Sequence, residues 1–217
     1  MSATLAVLAL IGLIASQYFI WVYAPLEETM GLVQKIFYFH LPLAWWALFS
    51  FFVVFAASIL FLLKEDSKWD ALAGASAEFG VVLSTLALIS GSLWGRAAWN
   101  TWWTWDPRLT TTLVMWFVYS GYLVLRTAPL NEQKRKKICA ALGIVAFLDV
   151  PLVFFSARLW RSIHPAVFAA KGGGLEPEMW HTVIICVIAW GFLTLSVIGL
   201  RWRQIIVEQR VKDLIKF

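Results

Sequence analysis

LPLAWWALFSFFVVFAASILFLL, residues Leu41–Leu63, runs for 23 residues without a charged side chain. A helix rises about 1.5 Å per residue and a bilayer's hydrocarbon is about 30 Å thick, so about 20 such residues cross it. The stretch is continuously apolar, whereas a barrel strand would be shorter and would alternate in polarity. Five further stretches read the same way: Ala3–Ala24, Ala71–Leu93, Leu109–Leu125, Ile138–Ala157 and Thr182–Leu200, with Leu109–Leu125 the shortest. Across the chain 61% of residues are apolar and 14% charged, against about 45–50% and about 25% in soluble domains. A soluble globule cannot hide that excess, a disordered chain would be charge-rich, and two cysteines cannot staple a disulfide scaffold. The expectation is an all-α integral membrane protein with six transmembrane helices.

Six crossings return the chain to the side on which it starts. The segments Lys64–Asp70 and Arg126–Lys137 and the tail from Arg201 hold 12 of the 18 Lys and Arg residues, and the other connections hold 6. The positive-inside rule then places both termini in the cytoplasm. The same distribution explains the net charge of +5 as a mark of orientation and gives no reason to expect nucleic acid. The first stretch lacks a basic leader and a small-residue cleavage pattern before Pro25, so it reads as a retained helix. Residues 1–217 form a single six-span domain with a Trp-rich outer loop, 94–108, and an amphipathic basic tail, 201–217, expected to lie along the inner membrane surface. The Gly-rich segment Lys171–Pro177 reads as a flexible part of the last outer loop.

Cys139 and Cys186 fall near opposite ends of their helices, roughly 20 Å apart in depth, which is too far for a disulfide. There is no Cys-x-x-Cys-His haem-attachment sequence. Glu78 and Asp149 lie within spans, where acids are costly; we read both as structural, Asp149 because Pro151 beside it frees backbone groups.

Five of the 14 tryptophans (Trp94, Trp99, Trp102, Trp103 and Trp105) fall within twelve residues. An interfacial belt uses one or two per helix end. Five indoles suggest a flat aromatic platform for a large planar ligand, with N–H donors at its edges. In the same loop Asp106 and Pro107 make a good N-cap and first residue for the fourth helix. His40 and His164 lie on the same outer face, and His181 lies at the mouth of the sixth helix. A lone loop histidine is most often a surface or hydrogen-bonded residue. Two beside an aromatic platform could close both axial positions of an iron in a flat macrocycle. Arg108, Arg158 and Arg161 are on that face as well, suited either to lipid headgroups or to paired carboxylates such as haem propionates.

The run Trp94-Gly95, Trp99, Thr101-Trp102-Trp103-Thr104-Trp105-Asp106-Pro107-Arg108-Leu109-Thr110 resembles the WWD signature of haem-handling membrane proteins. With Phe39-His40-Leu41-Pro42, Val150-Pro151 and Trp160-Arg161-Ser162-Ile163-His164, it resembles the haem exporter protein C (cytochrome c maturation protein C) family. The resemblance implies haem b at the periplasmic face of a bacterial inner membrane, with His40 and His164 as axial ligands, the tryptophans beneath the ring and Asp106 within the signature. It implies transfer of haem to a membrane-anchored haem chaperone during cytochrome c maturation. The implied partners are the ATPase and permease subunits of an ABC transporter and a small single-span subunit, besides membrane lipid. No phosphate-binding Gly-x-x-x-x-Gly-Lys-Ser/Thr sequence is present, so any ATP hydrolysis is a partner's and the chain is not expected to be an enzyme. Two other readings of the same residues are a bis-histidine b-type cytochrome subunit that carries electrons, and a permease for haem or another solute.

Overall fold

The computed structural model describes residues 2–160, 164 and 175–215, without the side chains of residues 2, 157 and 158. The described residues are helical apart from short connections. In chain order the helices are α1 (Ser2–Tyr18), α2 (Phe37–Lys64), α3 (Ser67–Trp99), α4 (Pro107–Arg126), α5 (Glu132–Ala146), α6 (Asp149–Leu159) and α7 (Pro177–Ile215). Successive crossings run in opposite directions. One end of the bundle therefore carries His40 and the tryptophan loop, and the other carries the Lys64–Asp70 and Arg126–Lys137 connections.

Among the described residues, five helical stretches are long and apolar enough to cross a membrane: Ala3–Tyr23, Leu32–Lys64, Ser67–Trp99, Glu132–Ser156 and Pro177–Ile215. The fourth expected stretch, Leu109–Leu125, is helical as α4 but less apolar, because Thr110, Thr111, Thr112 and Ser120 dilute it. Its threonines are partly spent on their own backbone: the Thr111 hydroxyl donates to Pro107 O at 2.8 Å and that of Thr112 to Arg108 O at 2.7 Å. Such bonds satisfy hydroxyls where water is scarce.

The fifth expected stretch is divided. α5 ends at Ala146 and α6 begins at Asp149, and the turn between them tightens: Leu148 N donates to Val145 O and Val150 N to Phe147 O, both at 3.1 Å. Pro151 explains the break, since it has no N–H to continue the ladder and its ring crowds the preceding turn. Residues 201–215 continue α7 as one helix to Ile215, with Ile205 buried against Ala71 and Ala75 of α3.

α3 is central because one of its faces is built from small residues. Ala71, Gly74, Ala75, Ala77, Gly80, Ser84 and Ala87 are all buried. Lipid supplies no hydrophobic drive for helices to associate, so close backbone approach and van der Waals contact carry the packing. α2 lies along α3 and contributes Phe51, which stacks on Tyr119 of α4 with ring centroids 3.7 Å apart. α2 is tied to α7 by Trp46, whose indole N–H donates to Val187 O at 2.7 Å. A Cβ at Gly191 would come within 2.4 Å of that indole. Gly191→Ala is therefore expected to push Trp46 out of place and destabilise the protein by about 1–3 kcal/mol, read as a lower unfolding midpoint in detergent.

Lys35, counted above among the basic residues that report orientation, is 4% exposed. After Tyr18 the chain widens into a π-helical turn, Phe19–Tyr23. The Lys35 ammonium donates to the carbonyls of Ile20 (2.6 Å) and Ala24 (2.7 Å) at its end. It caps the terminus of the first crossing, where a cation also meets the negative end of the helix dipole. Cys139 and Cys186 are both free and buried. Glu78 is held structurally by Arg201 of α7 through two hydrogen bonds, at 2.6 and 3.1 Å.

Candidate functional site

His40 lies in the first turn of α2, and its ring seats against the last third of α3. Its Nδ1 is 3.1 Å from Ser90 Oγ. A Cβ on Gly91 would be 3.0 Å from His40 Cε1, so a side chain there would press on the ring. Four residues later a Cβ on Gly95 would make only ordinary contact with Trp99 and the Thr101 carbonyl, at 3.4 and 3.5 Å. Gly91 thus clears this face of α3 for the His40 ring.

His164 faces His40. Their ring centroids are 6.3 Å apart and their planes meet at 46°. Imidazole nitrogens bind a metal at about 2.0–2.1 Å. Two imidazoles on opposite sides of one metal, with each ring's radius added, have centroids roughly 6 Å apart. The observed spacing fits that arrangement. Trp99 meets His164 edge-on at 6.5 Å. Burial, with the charges of Arg108 and His40 added, pushes His164 down to about 3, against a weaker opposing pull from Asp106. The ring is therefore neutral at physiological pH, which is the form that ligates metals.

Asp106 does what the sequence suggests for a helix start. Its carboxylate accepts from Arg108 N at 2.9 Å, with Pro107 as the first residue of α4. The cap sets the direction of Arg108, whose guanidinium donates to Phe154 O of α6 at 3.3 Å. Its charge is felt at both histidines. Among the described residues, Arg108 is the arginine that the structure brings to the histidine pair. Arg161 and the Arg158 side chain lie outside the described residues, as do Lys171 to Gly174 of the last loop.

The five tryptophans do not form one flat platform. Trp94 meets Trp99 at 83° with centroids 4.9 Å apart, and Trp103 meets Trp105 at 83° and 5.9 Å. The ring quadrupole favours such edge-to-face pairs over a coplanar sheet. Trp94, Trp99 and Trp103 are half-buried, whereas Trp102 and Trp105 are 58% and 77% exposed. Trp99, Trp102 and Trp103 line a small, partly open recess with Gly91, Gly95 and Leu109. The loop is tied back to α3: Ser92 Oγ donates to Trp102 O at 2.7 Å. Arg96 bonds both the backbone and the side-chain oxygen of Asn100 and lies 5.9 Å from the Trp102 ring. Asn100 takes the left-handed conformation (φ 56°) that turns the chain at the end of α3, a role Asn tolerates well.

His181 is set apart from this cluster. Its Nδ1 is 3.0 Å from the Tyr23 hydroxyl, which joins the end of the first crossing to α7.

The family model for Heme exporter protein C matches residues 1–216. The chain belongs to the haem exporter protein C family. It is 32% identical over 216 residues to Heme exporter protein C of Bradyrhizobium diazoefficiens, covering 99% of this chain and 80% of that one. It is 29% identical over 195 residues to Heme exporter protein C of Rhodobacter capsulatus, covering 88% and 81%. Similarity extends to a ccmC-like mitochondrial protein of cytochrome c biosynthesis in Marchantia polymorpha, 28% identical over 190 residues, covering 87% of this chain and 80% of that one.

For a member of the haem exporter protein C family, the residues that sequence reasoning missed are those that seat the site residues. Ser90, Gly91 and Ser92 sit on the last turns of α3, just before the Trp94-Gly95 of the signature. The signal was present in Gly91, a small residue of the kind that lets helices and rings approach closely.

Proposed function

We propose that the protein binds haem b between His40 and His164 and presents it to a membrane-anchored haem chaperone during cytochrome c maturation. The observation that carries this reading is the pairing of the two imidazoles at 6.3 Å beside the tryptophan recess. The chain crosses the bacterial inner membrane six times, with α4 as the least apolar crossing and both termini cytoplasmic, so the histidine pair faces the periplasm. The Lys and Arg distribution supports this orientation.

Haem is the cargo. His40 and His164 hold its iron from opposite sides, and with both axial positions closed, oxygen has no open site at which to react. Arg108 offers a planar donor to a propionate, a role Arg158 and Arg161 would share. Trp99, Trp102 and Trp103 offer apolar faces and edges to the ring, and the exposed Trp102 and Trp105 leave that rim open to a chaperone. Release follows when a partner's ligand replaces a histidine at the iron. ATP hydrolysis belongs to the ATPase of an ABC transporter, which acts with its permease and a small single-span subunit.

Haem-loaded protein, purified in detergent and mixed with the haem-free chaperone, tests this reading. Haem is expected to move to the chaperone from the wild type and not from protein lacking His40 and His164. Haem that stays on the protein while it is reversibly reduced by quinol would instead identify an electron carrier.

A further inference from the structure

We propose that Ser90 is a positioning residue that fixes the tautomer of His40, keeping the ring proton on Nδ1 and leaving the Nε2 lone pair for iron. The inference rests on the reading of His40 as a haem ligand. It turns on a single hydrogen atom. A serine hydroxyl carries one proton, and the Ser90 oxygen lies 2.7 Å from Leu86 O and 3.2 Å from Ala87 O on its own helix. Serine in a helix habitually donates to the carbonyl four residues back. With its proton committed there, Ser90 Oγ has only acceptor capacity left for its third neighbour, His40 Nδ1 at 3.1 Å. The reverse assignment, with Ser90 donating to a bare Nδ1, would set two acceptors against each other at 2.7 Å. The contact on the α3 side therefore calls for an N–H at Nδ1.

The consequence for ligation is specific. A neutral imidazole has one N–H and one lone pair. Placing the N–H on the α3 side leaves Nε2 as the ligating nitrogen. Donation through Nδ1–H also raises the basicity of the ring and fixes its rotation. Gly91, the next residue, removes the Cβ that would otherwise hold the ring away from Ser90.

The test uses full-length protein in detergent. Ser90→Ala is expected to weaken haem binding by about 10–100-fold, the usual cost of losing an outer-shell partner of a metal ligand. Ser90→Thr, which keeps the hydroxyl and its bond to the backbone, is expected to bind as the wild type does. A second readout needs no haem. In histidine-¹⁵N-labelled, haem-free protein, with the His40 signal assigned by its absence from His40→Ala, nitrogen shifts should show the proton on Nδ1 in the wild type and in Ser90→Thr. They should show a mixture, or the proton on Nε2, in Ser90→Ala. A wild type protonated at Nε2 overturns the proposal whatever happens to haem. So does a Ser90→Ala protein with unchanged affinity and unchanged tautomer, or a Ser90→Thr protein as defective as Ser90→Ala. Wild-type haem without a bis-imidazole spectrum would instead remove the reading of the site on which the proposal rests.

Discussion

Protein carrying both His40→Ala and His164→Ala is expected to purify without the bis-imidazole haem spectrum of the wild type. The loss should exceed the roughly 10–100-fold that removal of an outer-shell partner costs, because both groups that meet the iron are gone. Each single variant should retain weak, five-coordinate haem, since one imidazole and the tryptophan recess remain. Added imidazole should restore six-coordination in the single variants, because a free imidazole can occupy the space that the truncated ring vacates. Neither substitution should unfold the protein. His164 lies beyond the end of α6, and His40 is in the first turn of α2, where it packs against Gly91 rather than in the core around Phe51 and Tyr119. Pyridine haemochrome quantification of the purified proteins measures the loss directly.

Asp70→Asn is expected to cost about 3–5 kcal/mol of stability, the usual penalty for stranding one member of a buried ion pair. Asp70 is 5% exposed and receives two hydrogen bonds from Arg126, at 2.8 and 3.1 Å, which join the start of α3 to the end of α4. The Tyr122 hydroxyl accepts from the same guanidinium at 3.2 Å. Gly74 makes room for it: a Cβ there would lie 2.7 Å from Arg126 Nη2. Replacing both partners, as in Asp70→Leu with Arg126→Leu, removes the stranded charge and should recover most of the loss. Thermal unfolding in detergent reads both variants. Ser90 is 20 residues further along α3, about 30 Å away, so the haem spectrum of each variant below its unfolding midpoint should match the wild type's.

The apolar stretches made the membrane bundle legible, because a span is a property of one segment and its composition. Pro151 marked a break within the fifth stretch, yet hydropathy alone joined its two halves, since the residues on both sides are equally apolar. Lys35 misled for a related reason: a charge count treats every lysine as solvated, and this one is buried on two carbonyls fifteen and eleven residues back. In the site, His40, His164 and Asp106 could be named from chemistry because their residue types are unusual on such a face. The orientation of the indoles could not, since edge-to-face packing depends on tertiary contacts. Ser90 and Gly91 were hidden because a serine and a glycine in an apolar helix look like packing residues until the histidine opposite them is seen.

The most direct test of the central claim is electron paramagnetic resonance of the ferric haem complex of the full-length protein, with histidine nitrogens labelled. The expected spectrum is that of a low-spin iron coupled to two imidazole nitrogens, one of them lost in His40→Ala and the other in His164→Ala. A wild-type iron bound by a single nitrogen, or a two-nitrogen signal that survives both substitutions, would contradict it.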